Sequence, residues 1–257
     1  MRFKLTLLTK QSSNTVLPIN YQYPTSAAIY KIIEKADAEF SAFLHDKGYG
    51  DVKKFKLFTF SDIRTKYKIE GDQMKLLTNE AEIIICFHVP NAAQKFIEGI
   101  FIHQEIDIAD KRNKVTFLVS QVQALPSIFN NDLIQEIQLQ PISPIIAGIK
   151  NEKGNYIFLS PEHKDFTNQL MYNWKEKYTV VYGDTINDFE QNSIEVIFYR
   201  NPPKSRLVTI KADTIGETKI RGFTNFKLKV KGDRQSLDLL LNAGVGIYNS
   251  LGMGCVE

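Results

Sequence analysis

The chain has 257 residues, 43% hydrophobic and 24% charged, with a formal net charge of +3; that is room for one large or two small globular domains at roughly 100–200 residues each. No apolar run approaches the ~20 residues of a membrane span, and Met1-Arg2-Phe3-Lys4 alternates instead of leading into an apolar signal core. Cys86 and Cys255 are distant and have no metal spacing, so the expectation is a cytoplasmic protein without a disulfide framework.

Residues 2–9 alternate, with Phe3, Leu5 and Leu7 on one face, and predict a half-buried strand. Pro18 to Pro24 is turn-rich and leads into a helix with Thr25 or Ser26 as N-cap, whose buried stripe is Ile29, Ile32, Ile33 and Ala36. Asp37 caps a second short helix that turns Phe40, Phe43 and Leu44 inward and ends at Gly48. Strands are expected over 54–61, 82–89 and 114–123. Between the last two lies a helix opened by Pro90, with Ala93, Phe96, Ile97, Ile100 and Phe101 on one face. This order approximates βαββαβ, a ferredoxin-like unit.

Pro141-Ile142-Ser143-Pro144 is a boundary candidate, and the pattern then restarts: strands at 143–149 and 155–160, a helix over 162–177, strands at 194–200, 206–212 and 219–231, and a helix at 234–242. The expected fold class is α+β, two tandem ferredoxin-like folds over 1–140 and 141–257, closed by a glycine-rich loop. That loop runs from Gly244-Val245-Gly246 to Gly252-Met253-Gly254. A dinucleotide fingerprint would open a helix after an early strand, with an acidic residue ~20 positions on; these glycines follow a helix, so that function is excluded. Glycine lets backbone N–H groups approach an anion closely. Residues 200–234 carry ten Lys and Arg, including Lys204, Arg206, Arg221 and Lys227, against Asp213, Glu217 and Asp233; the segment is +7 and the remainder −4. Such asymmetry predicts a polyanion-binding face.

The four histidines are dispersed, and neither a nucleophile elbow nor a Walker loop occurs, which leaves general acid–base chemistry without metal or cofactor. His45 falls on the exposed side of the last turn of its helix, where the helix terminus favours imidazolium. Tyr30 sits on the rim of its helix beside the buried stripe, and Lys56 opens the strand Lys56-Leu57-Phe58-Thr59-Phe60-Ser61.

Five stretches together resemble the CRISPR-associated endoribonuclease family Cas6, which cuts repeat-containing precursor transcripts into guide RNAs. They are Met1-Arg2-Phe3 with its alternating strand; Leu17-Pro18-Ile19-Asn20-Tyr21 through Ala28-Ile29-Tyr30; Phe43-Leu44-His45 with Gly48-Tyr49; Lys56 to Ser61; and Ile220-Arg221-Gly222-Phe223-Thr224 running into the spacing Gly-x-Gly-x5-Gly-x-Gly. The middle, 62–190, matches in element order alone. The resemblance implies two ferredoxin-like folds and metal-free cleavage on the 3′ side of a repeat hairpin, leaving a 2′,3′-cyclic phosphate and a 5′-hydroxyl. It maps the family's tyrosine, histidine and lysine onto Tyr30, His45 and Lys56, with Lys53 or Lys54 as alternatives to Lys56. The loop departs from the pattern in one respect: Ile247 to Leu251 contain no Lys or Arg. Its RNA contacts would then come from Gly244, Gly246, Asn249, Ser250, Gly252 and Gly254, aided by Lys204, Arg206, Arg221 and Lys227.

RNA supplies its own nucleophile, the 2′-hydroxyl, so the protein needs a base, an acid and charge stabilisation. With reference pKa values of about 10 and 6.5, tyrosine is the poorer base and histidine the better one, although by analogy with metal-free splicing-type nucleases Tyr30 is often written as base and His45 as acid. The implied partner is CRISPR repeat RNA, with other subunits of a guide-RNA complex as further candidates and a monomer or homodimer as the assembly. The competing expectation is a non-catalytic repeat-RNA-binding subunit with the same fold and basic face.

Overall fold

A computed structural model describes residues 1–129, 133–183, 189–212 and 214–257; Asp213, counted in the charge of the basic segment, lies outside them. The first half contains β1 (Arg2–Thr9), β2 (Val16–Pro18), α1 (Gln22–Ala36), α2 (Ala38–Ala42), β3 (Phe58–Phe60), β4 (Tyr67–Glu70), β5 (Gln73–Leu76), β6 (Glu80–Phe87), α3 (Pro90–Ile102), β7 (Glu105–Ala109) and β8 (Lys114–Leu125). Its main sheet has the order β3-β6-β1-β8-β7, antiparallel throughout. Without the extra edge strand β7, that is the ferredoxin-like arrangement, with β1 central and β3 and β8 outermost. The pleat alternation sends Leu5, Leu7, Ile83, Ile85, Val115 and Phe117 to one face, where they form a single core with Ile29, Ile32, Ile33, Phe96 and Ile100 of α1 and α3. The two helices touch closely because α3 offers Gly99, where a Cβ would overlap the Ile32 carbonyl. Strands β2, β5 and β4 form a separate small sheet that the hydrophobic pattern did not signal.

The second half contains β9 (Gln135–Leu139), β10 (Gly148–Lys150), β11 (Tyr156–Phe158), α4 (Phe166–Tyr182), β12 (Ser193–Phe198), β13 (Lys204–Ile210), β14 (Thr218–Thr224), β15 (Phe226–Gly232) and α5 (Arg234–Ala243). Its sheet has the order β12-β15-β9, and beyond β9 the chain end adds a residual fourth strand. There Pro141 bridges Val256, and Gln140 and Glu257 exchange backbone hydrogen bonds of 2.7 and 3.0 Å. This is a second ferredoxin-like unit, embellished by the hairpins β10–β11 and β13–β14. It takes up Gln135–Leu139, residues that the sequence pattern left unassigned on the far side of the Pro141 boundary.

Several sequence expectations shift. Helix α1 begins at Gln22 after Tyr21, ahead of Thr25 and Ser26, because Pro24 lies in the first turn, where no N–H is needed. Thr25 instead donates its hydroxyl to the Tyr21 carbonyl at 2.8 Å. Phe101 is 78% exposed: at ~100° per residue it lies about 140° from Phe96, outside the stripe centred there. The expected strand 219–231 is two strands, broken at Asn225 with φ +64°. The expected strand 54–61 shrinks to Phe58–Phe60, since Leu57 adopts φ +53° and turns its side chain into the second core. The strands at 143–149 and 155–160 reduce to three residues each, and the helix expected at 162–177 runs from Phe166 to Tyr182, ended by Gly183 with φ +84°.

The halves are stitched by the C-terminal segment. Thr59 donates to the Met253 carbonyl (2.9 Å), Arg2 to the Val256 carbonyl (2.9 Å) and Arg64 to the Glu257 carboxylate (2.8 Å). Cys86 of β6 and Cys255, both fully buried, lie with their sulfurs 3.9 Å apart. Among the described residues no helix is long and apolar enough to cross a membrane.

Candidate active site

Tyr30, His45 and Lys56 come together. Tyr30 leaves α1 half-buried and meets two rings edge-on: Phe58 of β3 at 5.5 Å between centroids and His45 at 5.0 Å. His45 is held by a short chain of local causes. Asp37 caps α2 by accepting from the Phe40 N–H at 2.9 Å, and Ser41 ties α2 to α1 by donating to the Tyr30 carbonyl at 3.0 Å. The helix then widens into a π-turn over Phe43–Lys47, which presents His45 to solvent. Gly48, with φ +68°, stops it where any Cβ would press on the Phe55 carbonyl at 2.6 Å. That turn returns the chain through the Tyr49–Phe55 bridge, and the left-handed Leu57 leaves Lys56 on the His45 side, its ammonium 2.5 Å from the His45 carbonyl. The alternatives are engaged elsewhere: Lys53 on the Tyr172 hydroxyl (2.7 Å) and Glu176 (3.0 Å), Lys54 on the Gly50 carbonyl (2.6 Å).

The electrostatics separate the three groups. Burial pushes the Tyr30 phenol well above its ordinary pKa, opposed in part by a hydrogen bond from Ser250. Burial lowers the Lys56 ammonium, with Asp46 opposing and Lys54 reinforcing. His45 Nδ1 lies 2.8 Å from Asp46 Oδ1. A carboxylate only accepts, so Nδ1 carries a proton, and in the neutral ring Nε2 is the nitrogen with the free lone pair.

Beside Lys56 and Ser250 a cleft of about 580 Å³ opens between the halves, walled by β10–β11, α4 and the residues after α5. The glycine loop forms part of that wall, but its glycines do not face it as an anion cradle. Gly244, Gly246, Gly252 and Gly254 are buried, and all four have positive φ. The N–H groups of Gly244, Gly252 and Gly254 are spent on the carbonyls of Leu240, Asn249 and Pro144. A Cβ would overlap Ile146 at Gly246, the Phe60 ring at Gly252 and Val245 at Gly254. Their freedom therefore serves close packing of the loop onto β3 and the second core, which corrects the expectation of direct RNA contact from them. Asn249 is likewise a clip, its amide donating to the Val245 (3.1 Å) and Met253 (3.0 Å) carbonyls. Of the expected loop contacts, Asn249 and Ser250 line the cleft, Ser250 on Tyr30.

Lys177 holds the loop from the other side. Only 2% exposed, it donates to the Gly244 (2.6 Å) and Gly246 (3.1 Å) carbonyls and to Asn249 Oδ1 (2.6 Å), and burial draws its pKa down to about 7. Sequence reasoning passed over it, though a signal exists: it lies on the apolar stripe Phe166, Leu170, Trp174, Tyr178 of α4, where a lysine is out of place.

The basic segment is dispersed, and none of its four named residues lines the cleft. Arg206 is committed to structure: one guanidinium nitrogen sits 2.9 Å from both Asp62 oxygens, over the Tyr21 ring, whose hydroxyl donates to the same carboxylate at 2.9 Å. Lys204 and Arg221 lie exposed on the β13–β14 hairpin, Arg221 donating to Ser205 at 3.1 Å. Lys227 alternates with the buried Phe226 and Leu228 and so stands on the outer face of the second sheet, 6.0 Å from the Tyr199 ring.

Two family models match the chain: CRISPR-associated protein Cas6, N-terminal, over residues 16–123, and CRISPR-associated protein Cas6, C-terminal, over 129–257. The chain belongs to the Cas6 family. A curated relative, the CRISPR-associated endoribonuclease Cas6 1 of Methanocaldococcus jannaschii, is 28% identical over the whole of this chain and 92% of its own length. A solved CRISPR-associated protein Cas6 is 25% identical, with a TM-score of 0.71 over 100% of this chain and 98% of its own. The solved product of a Cas6-related gene from Pyrococcus furiosus, 23% identical, shares the fold at a TM-score of 0.78 over 100% and 97%. In this Cas6 family member the loop from Gly244 to Gly254 brings Ser250 of the second half to Tyr30 of the first.

Proposed function

We propose that this chain is a metal-independent endoribonuclease that cleaves CRISPR repeat precursor transcripts to guide RNAs. The observation that carries the proposal is the convergence of Tyr30, His45 and Lys56 beside a lysine- and tyrosine-lined cleft. His45 Nε2 takes the proton of the 2′-hydroxyl, whose oxygen then attacks the adjacent phosphorus. The P–O5′ bond breaks, and Tyr30 gives its proton to the departing 5′-oxygen, an alkoxide more basic than phenolate. Lys56 offsets the negative charge that grows on the phosphoryl oxygens. The products are a 2′,3′-cyclic phosphate and a 5′-hydroxyl. The raised pKa of Tyr30 supports this division of roles, because a phenol that stays protonated at neutral pH serves as donor and not as base.

The test is incubation of a candidate repeat transcript with the protein in EDTA, followed by mass analysis of the ends. Cleavage to the two named termini is expected, abolished by a 2′-deoxy substitution at the scissile nucleotide. His45→Ala should lower the single-turnover rate by about 10²–10⁴-fold while leaving RNA affinity within twofold. Wild-type protein that binds the repeat and never cuts it would instead be a binding subunit.

A further inference from the structure

The cleft beside Lys56 and Ser250 carries more than a phosphate would need. One face of α4 supplies Gln169, Tyr172, Asn173 and Lys177, at spacings of three and four residues that bring them to a common side. Lys177 has three donors, all taken by the loop carbonyls and Asn249, so it offers the cleft no free ammonium proton. Asn173 is the opposite case. It is 8% exposed, and its buried carboxamide oxygen has no hydrogen-bond partner among the described residues. A buried acceptor left without a donor is a standing penalty that an incoming N–H group would cancel. The walls are aromatic, from Tyr172 on one element, Tyr156 on another and Tyr248 on the loop. Lysines border them: Lys53 lies 3.9 Å from the Tyr172 ring centre and Lys150 5.6 Å from that of Tyr156. At about 580 Å³ the cleft is of the size that takes a small ligand, ~300–1,000 Å³.

We infer that this cleft is a pocket for one unpaired nucleobase whose Watson–Crick edge sets an exocyclic amine beside an unprotonated ring nitrogen, adenine or cytosine, next to the scissile phosphate and read by the Asn173 carboxamide. Single-stranded RNA is recognised by splaying a base onto aromatic side chains and hydrogen-bonding its edge. The Asn173 oxygen accepts from the amine, and its NH₂ donates to the neighbouring ring nitrogen, the match a carboxamide makes with adenine. Uracil and guanine present a carbonyl oxygen where that amine would lie, and the Asn173 oxygen would face another acceptor. Lys150 at the border meets a flanking phosphate. The placement beside the scissile bond rests on the proposed cleavage, since Lys56 and Ser250 belong to both sites.

The test uses the full chain and a repeat RNA blocked by a 2′-deoxy group at the cleavage position, with each of the two nucleotides on either side changed in turn to A, C, G, U and purine riboside, which lacks the amine. One position should bind A or C about tenfold more tightly than U or purine riboside. Asn173→Leu should erase that difference. Tyr172→Ala, at a half-exposed side chain whose loss leaves the core intact, should weaken binding about tenfold whatever base stands there. The inference is overturned if no position distinguishes the amino bases, if Asn173→Leu leaves the distinction intact, or if Tyr172→Ala leaves every affinity unchanged. Base discrimination on blocked RNA without cleavage of unblocked RNA would keep the pocket and remove the nuclease; cleavage without discrimination would do the reverse.

Discussion

His88, at the end of β6, lies 3.0 Å from the Tyr182 hydroxyl of α4, and burial pulls its pKa down to about 4, helped by the nearby N-terminal ammonium. The folded protein thus keeps this imidazole neutral through a range in which the unfolded chain, at about 6.5, binds a proton. The unfolded state holds more protons between those values, so stability falls as pH drops from about 6.5 to 4, by on the order of 2–3 kcal/mol in total. Thermal melts across that range should show the loss, and His88→Gln should flatten it while leaving cleavage at neutral pH within a few-fold. His45 differs in setting, exposed on a π-turn with its Nδ1 on Asp46. In the sequence the two residues are each a histidine at the end of a secondary element. What separated them was helical phase for His45 and an apolar strand for His88, and that much was legible. The pairing of Tyr30 with Ser250 was not, because 220 positions separate them and no local pattern encodes the contact.

The glycine loop was visible as a motif and misread as a surface. Positive φ and the absence of Cβ suit an anion cradle and a tight packing joint equally well, and only the neighbours of each glycine decide between them. Here Phe60, Ile146 and Val245 occupy the space where a Cβ would stand. Gly254→Ala forces both a strained backbone and an overlap with the Val245 carbonyl, and should destabilise the fold by roughly 2–4 kcal/mol, read as a lowered melting temperature. The cleavage rate should fall with it even well below the transition, because the loop delivers Ser250 to Tyr30. Ala at Gly154 on the β10–β11 turn, where nothing lies within 4 Å of the added carbon, pays the backbone strain alone and gives the smaller loss. In the same way the strand expected over 54–61 had the right apolar alternation, but a left-handed Leu57 divided it. Its side chain serves the second core while Phe58 and Phe60 serve the first, a conflict that only tertiary packing creates.

At the scale of the molecule, the +7 segment shows how charge seen in sequence divides once the chain folds. Arg206 is drawn into a contact with Asp62 and Tyr21 that joins β13 to the first half. Lys227 stays on an open sheet face. Arg206→Ala should therefore lower the melting temperature by an amount equivalent to about 1–3 kcal/mol, with no change in the salt slope of RNA binding. Lys227→Ala should leave melting unchanged and reduce that slope by about one ion. The repeat of the βαββαβ order was readable because each half buries its own helical stripes. The reduction of the last strand to the bridge at Pro141 was not, since the pairing of Val256 is fixed by a residue more than a hundred positions away.

That late-arriving strand sets an order of events during synthesis. Tyr30, His45 and Lys56 emerge from the ribosome early and the first sheet can assemble around them, but Ser250 and the loop clamped by Lys177 follow only after α4 and the second sheet. Contacts of such long sequence separation form late and slowly. The contact between Tyr30 and Ser250 is therefore absent from a growing chain until the second half has emerged and folded.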